Sequence, residues 1–408
     1  MNKKNILIIS LGYLPTVGGS YRVLHELITR QSDINFTVLT CKHRQQKSFD
    51  LNQNYKIIRS SFLSIISDDA PIVRNFTSFN LIKLPYFKAA KKLFIYFLLP
   101  MLSLLRIGYE LICGKYDCIV FAQSVLPFAW YISFIKLFSK KKIITFVYGE
   151  DIVCYRKSTF YSAWFRKIYL RGLSNTDIIV ANSSVTKLEI LSDNISENKI
   201  TIVYPAIDYE FFKSLDKEIS RESFSIDKNC FVLLSVGRII RRKGFDSVLK
   251  QIPELLKEIP NLLYIIRGEG YDKQYLEEII SKSNIEKYVR FINDLPYEEL
   301  PSLYSAADIF ILPNRLDERD NEQEGFGIVF LEANACGIPV IGGNSGGVVD
   351  IIKNGENGYL VSNETEICNC IMALRNNCKS NEFYSSYSID KYNWDNSANK
   401  FFKIFQNS

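Results

Sequence analysis

Two consecutive series of alternating strand and helix signals constrain the fold of this chain more than any other feature. In the first, the apolar run KNILIIS leads through a glycine-containing loop to the helical pattern YRVLHELITRQ and on to the strand NFTVLTC. YDCIVFAQ, KKIITFVYG and TDIIVANS continue it. The second series begins at FVLLSVG and runs through LLYIIRG, YVRFIND, ADIFILPN and IPVIGG. Short apolar strands spaced by helical periods predict parallel sheets covered by helices. Two doubly wound α/β domains facing a cleft follow, with ligand sites at the carboxyl ends of their strands. The break falls near KITIVYPAIDYEFFK, where a short strand meets Pro205. SYSIDKYNWDNSANKFFKIFQ predicts a terminal helix that returns to the first domain, and 408 residues suffice for a core in each.

Charge separates the halves. Residues 1–208 hold 27 Lys and Arg against 14 Asp and Glu, and the remainder 23 against 30. A basic half points to phosphates, an anionic membrane surface or nucleic acid, with scattered solvated lysines as the plain alternative. Nine cysteines without a CxxC pair, and only His25 and His43 beside them, argue against zinc and for reduced thiols in a cytosolic setting. His25 reads as a satisfied helix residue and His43 as a loop residue. The apolar run after Lys3-Lys4 is too short for a secretion signal and leads to Pro15 and Gly18-Gly19 rather than a cleavage site. No stretch has the length of a spanning helix. KAAKKLFIYFLLPMLSLLRIG, with Lys88, Lys91 and Lys92 before an apolar run, suits either a membrane surface or a buried helix across 88–105. The aromatic and basic FYSAWFRKIYLRG adds to the membrane reading.

Chemistry concentrates in the second half. After the strand FVLLSVG, the loop GRIIRRKG places Gly237, Arg238, Lys243 and Gly244 where backbone can approach, and cations can face, a diphosphate. In EQEGFGIVFLE, Glu324 and Glu332 flank Gly325-Phe326-Gly327 at the start of a helix of about three turns, which Gly337 stops. Unpaired N–H groups there attract an anion, while the two acids can accept hydrogen bonds from hydroxyls on either side. Hydroxyls, an anionic middle and more hydroxyls describe a nucleotide sugar. Glu324 as a helix-start acid and Glu332 as a surface residue is the alternative.

These residues resemble, in order and over most of the chain, the retaining glycosyltransferases of family 4, which have the GT-B fold of two Rossmann-like domains. Gly18-Gly19, ANSSVTK, VYPAID, GRIIRRKG, EGFGIVFLE and GNSGGVVD carry the resemblance, although the last has Asp350 where Glu is usual. It implies an acceptor-binding domain over 1–205, with the helix 388–408 packed back on it, and a nucleotide-sugar domain over 206–387. It further implies Arg238 and Lys243 on the donor diphosphate, Glu324 on hydroxyls of the transferred sugar and Glu332 on the ribose. Gly18, Gly19, Gly237, Glu269, Phe326, Gly327 and Ile328 complete the donor site, and Tyr148, Glu150 and Asp151 face the acceptor. Tyr148 stands where many relatives carry histidine, so no imidazole acts there. The resemblance implies a hexose moved from a UDP or GDP donor to a glycan or lipid-linked acceptor, without metal or cofactor, in surface polysaccharide or lipopolysaccharide synthesis. The enzyme would work at the inner face of the cytoplasmic membrane, with domain closure hinged near Pro205.

Three other readings compete. GNSGG matches the GxSxG of a hydrolase elbow, but Ser345 has no histidine after it in the chain. A nucleotide-sugar epimerase of similar shape would bind the donor without an acceptor. Nucleic-acid binding rests on charge alone, without the aromatic and basic motifs of RNA-binding modules.

Overall fold

The computed structural model describes residues 3–16, 18–61, 63, 99–123, 126–149, 152, 160–317, 323–387 and 389–406. The chain divides into two compact units. One comprises Met1–Asn182, Lys187–Val203 and Ala398–Ser408, the other Ser183–Thr186 and Tyr204–Ser397.

The first unit is built on seven strands: β1 Lys4–Ile9, β2 Ile34–Cys41, β3 Lys56–Ser60, β4 Cys118–Phe121, β5 Lys142–Val147, β6 Ile178–Ala181 and β7 Ile200–Ile202. They lie in the order β3-β2-β1-β4-β5-β6-β7, all parallel. Ile6, Leu7, Ile8 and Ile9 are fully buried, as a central parallel strand covered on both faces requires. Helices Leu99–Cys113 and Leu126–Phe138 pack on one core with Ile107, Phe128, Tyr131, Ile132 and Ile135. The segment 88–105 lies outside the described residues up to residue 98, and its remainder opens the helix Leu99–Cys113. Among the described residues no helix is long and apolar enough to cross a membrane.

The helix Trp394–Gln406 completes this unit from Ala398 onward. Phe402 and Phe405 meet Phe36, and Phe401 meets Phe146. Its last carbonyls are taken by lysines, Lys4 on Phe405 at 2.6 Å and Lys142 on Ile404 at 3.0 Å. Cations there also favour the negative end of the helix dipole.

The second unit has six parallel strands, β8 Phe231–Val236, β9 Leu262–Arg267, β10 Val289–Ile292, β11 Ile309–Leu312, β12 Val340–Gly343 and β13 Gly358–Val361, ordered β10-β9-β8-β11-β12-β13. Strand order reverses between β8 and β11. In open α/β sheets such a switch point leaves a crevice beyond the carboxyl ends of the two strands.

Candidate active site

The loop leaving β8 begins at Gly237 (φ 154°), whose N–H donates to the Arg267 carbonyl at 3.0 Å. Opposite it, Gly268 has φ 144°, and a Cβ there would sit 2.0 Å from the Gly237 carbonyl oxygen. The β8 and β9 loops therefore meet backbone to backbone, joined also by the Ile239 amide on the Glu269 carbonyl at 2.8 Å. The Glu269 side chain itself is exposed.

A single turn over Arg241–Lys243 follows, ended by Gly244 at φ 77°. This turn sends Arg242 and Lys243 inward, to 6% and 9% exposure, while Arg238 stays exposed and has no hydrogen bond or ion pair with the described residues. The turn is fixed from behind. The Arg315 amide donates to the Arg242 carbonyl at 2.8 Å, and its guanidinium grips Asp246 with two bonds of 2.8 Å.

Both inward cations end on one acid. Lys243 Nζ lies 2.6 Å and Arg242 Nη1 2.8 Å from Glu324 Oε2. Burial alone would raise the Glu324 carboxyl, but Lys243 and then Arg242 outweigh it and hold it down at about 2. Glu324 is thus an anion at neutral pH, held between two cations.

The Glu324 backbone is held from the other side by the glycine loop after β12. Gly347 N–H donates to the Glu324 carbonyl at 3.0 Å, and side chains at Gly346 (φ 62°) or Gly347 would bring a Cβ within 2.0 Å of the Glu324 or 2.3 Å of the Gly325 carbonyl oxygen. Asn314, just past β11, ties this loop down, accepting from the Gly343 amide at 3.0 Å and donating to the Ser345 carbonyl at 2.9 Å. Gly327, at φ 95°, opens the helix Ile328–Ala335. That helix has eight residues, two turns rather than the three expected, because Cys336 caps it and Gly337 turns at φ 85° to enter β12 early. Phe326 is buried against Tyr204 and Tyr392, with ring centroids at 5.8 and 5.6 Å, which anchors the helix start. Further along, Glu332 accepts a 2.7 Å hydrogen bond from the buried Tyr304 hydroxyl.

The second unit accordingly brings Gly237, Lys243, Glu324, Phe326, Gly327 and Ile328 to the switch point between β8 and β11, with Glu332 on the same helix. Arg242, Asn314 and Tyr304 belong to this group and were not singled out by the sequence reading. The run Arg241-Arg242-Lys243 signals cation density, but only the turn decides which of the three face inward. In the first unit, Gly18 is extended at φ 178°, Gly19 starts the helix Gly19–Thr29 with open space around its Cα, and Tyr148 is half-buried and stacked on Phe146. Glu150 and Asp151 lie outside the described residues. Among the described residues no three His, Cys, Asp or Glu side chains converge as a metal centre would need.

A family model described as Glycosyltransferase Family 4 matches residues 17–211, and one described as Glycosyl transferases group 1 matches residues 216–394. The chain is 36% identical over 130 residues, 32% of its length and 34% of the relative's, to a GDP-mannose-dependent alpha-(1-6)-phosphatidylinositol monomannoside mannosyltransferase of Mycolicibacterium smegmatis. It is 28% identical over 199 residues to the protein of the same name in Mycobacterium tuberculosis, 48% of this chain and 51% of that one. The matched stretch thus spans a third to a half of these relatives' lengths. In fold, the chain is similar to Anabaena HepE solved with UDP, with a TM-score of 0.75 at 16% identity over 99% of this chain and 100% of the other. Nothing in these comparisons supports the epimerase reading.

Proposed function

The chain belongs to the glycosyltransferases, Family 4 over its first half and group 1 over its second, with the GT-B fold, and on that premise we propose how it transfers sugar. Its substrate is a hexose carried on UDP or GDP, moved with retention of anomeric configuration to a glycan or lipid-linked acceptor of cell-surface synthesis. One observation carries this reading: Glu324 is clamped between Lys243 and Arg242 beside the open start of a helix. Two cations against one acid leave a positive charge over, and Arg238 supplies another. The bridging diphosphate of a nucleotide sugar carries two negative charges, so loop and donor neutralise one another without a metal ion.

The chemistry follows from those positions. Lys243, Arg238 and the helix-start amides stabilise charge as the bond from the anomeric carbon to the phosphate oxygen breaks and its electron pair leaves with the diphosphate. Glu324 accepts from hydroxyls of the departing hexose and holds its ring in place. Glu332, oriented by Tyr304, accepts from the ribose hydroxyls. The acceptor oxygen bonds to the anomeric carbon on the face the phosphate leaves, and its proton passes to the departing phosphate oxygen. Gly18, Gly19 and Tyr148 of the first unit serve the donor loop and the acceptor side.

Thermal unfolding with a nucleotide series tests the donor assignment. The correct diphosphate at 100 times its Kd stabilises by about 2.7 kcal/mol, and Lys243→Ala abolishes the shift. No shift with UDP or GDP, or an equal shift in Lys243→Ala, rejects the donor site. Radiolabelled nucleotide sugar with membrane extract then separates transfer from epimerisation.

We further propose that the acceptor side meets a membrane surface. Leu105, Tyr109 and Ile112 on one helix, and Phe134, Leu137 and Phe138 on the next, are 51–86% exposed, where a water-facing surface would carry polar groups. The exposed Lys140 lies just after them and is suited to anionic headgroups. Flotation with anionic vesicles is expected to fall severalfold in Phe134→Ser/Leu137→Ser; unchanged binding removes the membrane from the account.

A further inference from the structure

Directly after β2 the chain reads Lys42-His43-Arg44-Gln45-Gln46-Lys47-Ser48, and these seven residues line a concave surface of about 570 Å³ at the carboxyl edge of the first unit's sheet. No acid lines it. Asp50, the acid on the short helix Gln46–Leu51, is turned away and held by Arg59 through bonds of 2.7 and 3.1 Å. Arg44 and Lys47 are exposed, and neither has an ion pair with the described residues.

The backbone of this loop is pinned although its cations face solvent. The His43 amide donates to Gln46 Oε1 at 2.8 Å, the Gln45 amide to His43 Nδ1 at 3.2 Å, and the Gln46 amide to the His43 carbonyl at 3.3 Å. Arg59 clamps its base, donating to the Cys41 carbonyl at 3.3 Å, and reaches the Leu14 carbonyl at 2.6 Å in the loop that leads to Gly18 and Gly19. Solvated lysine loops commonly mix signs and move freely. A pinned, open surface with three cations, and no acid among the described residues that line it, is suited to an oxyanion of high charge density.

We propose that Lys42, Arg44 and Lys47 bind the phosphate of a phosphate-bearing acceptor, seating it on the same edge of the sheet as the Gly18-Gly19 loop. The word acceptor rests on the transferase reading; the anion site itself does not. The phosphate can belong to a lipid headgroup or to a soluble phosphorylated sugar, and charge-assisted hydrogen bonds serve both.

Calorimetric titration with inorganic phosphate tests the site on three proteins: the native chain, Lys42→Ala/Arg44→Ala/Lys47→Ala, and Arg238→Ala as a control for binding at the donor loop. The native chain and Arg238→Ala are expected to bind phosphate, and the triple variant to bind it about tenfold or more weakly, because three cations are lost. Nucleotide diphosphate should stabilise the triple variant as it does the native chain. Equal phosphate affinity in the triple variant, or none in the native chain, overturns the site. A native chain that binds phosphate in this manner but no nucleotide keeps the site and rejects the transferase reading instead. Vesicles containing phosphatidylinositol, compared with phosphatidylcholine alone, identify the source. Loss of phosphatidylinositol-dependent binding in the triple variant assigns a headgroup, and its persistence, with phosphate affinity lost, assigns a soluble phosphorylated acceptor.

Discussion

At Glu324, burial and pairing act in opposite directions, and pairing wins. A carboxyl held at about 2 in the fold and near 4.5 when unfolded contributes about 3 kcal/mol above pH 4.5, lost as pH falls toward 2. In Glu324→Gln that component is absent, so urea midpoints of variant and native chain should converge on acidification across this window. Arg242→Met should leave Lys243 as the remaining partner and shift the loss of stability to higher pH. Identical acid limbs in all three proteins would show that the ion pairs are not formed in solution. The acid was legible in the sequence because two carboxylates around Gly-Phe-Gly at a helix start are an unusual spacing. Of its two cationic partners, Lys243 was named from the sequence and Arg242 was not. Arg238 is the arginine that the motif picks out, yet Arg242 makes the ion pair, since a turn of three residues redirects neighbouring side chains of the same chemical type.

Loops rather than helices set the precision of the site. Gly346 at φ 62° lies against the Glu324 carbonyl with no room for a methyl, so Gly346→Ala should displace the 324–327 segment, lower the melting temperature by several degrees and weaken donor binding. An unchanged donor Kd would mean the loop yields instead. Strands buried on both faces, such as β1 and β8, were legible as continuous apolar runs. The edge strands β3 and β13 were not, because KIIRS carries charge at both ends of a short core and GYLV opens on glycine. Helix Gly19–Thr29 shows a pH signature of its own. Burial keeps His25 below its usual range, and its Nδ1 is bonded to the Tyr55 hydroxyl at 2.9 Å and the Tyr13 hydroxyl at 3.2 Å. A histidine neutral in the fold but charged when unfolded makes stability fall as pH drops below about 6.5. His25→Gln should lessen that slope in urea titrations.

Over the whole molecule, the two halves of the chain carry opposite net charge, and the expected ligands divide between them accordingly. Nucleotide diphosphate should slow amide exchange in β8 and β11 and the helix Ile328–Ala335 far more than in β1 or β2, since most of the proposed donor contacts belong to the second unit. Uniform protection would contradict a donor site built mainly by the second unit. The terminal helix has a consequence for biogenesis. The first unit contains Lys4, yet the carbonyl its ammonium reaches lies 401 positions downstream. Phe36 and Phe146 likewise wait for Phe401, Phe402 and Phe405, each worth about 2 kcal/mol when buried. The portion of the protein that leaves the ribosome first is therefore the last to be finished, and a nonsense codon at Ala398 would injure the amino-terminal unit while sparing the one synthesised just before it.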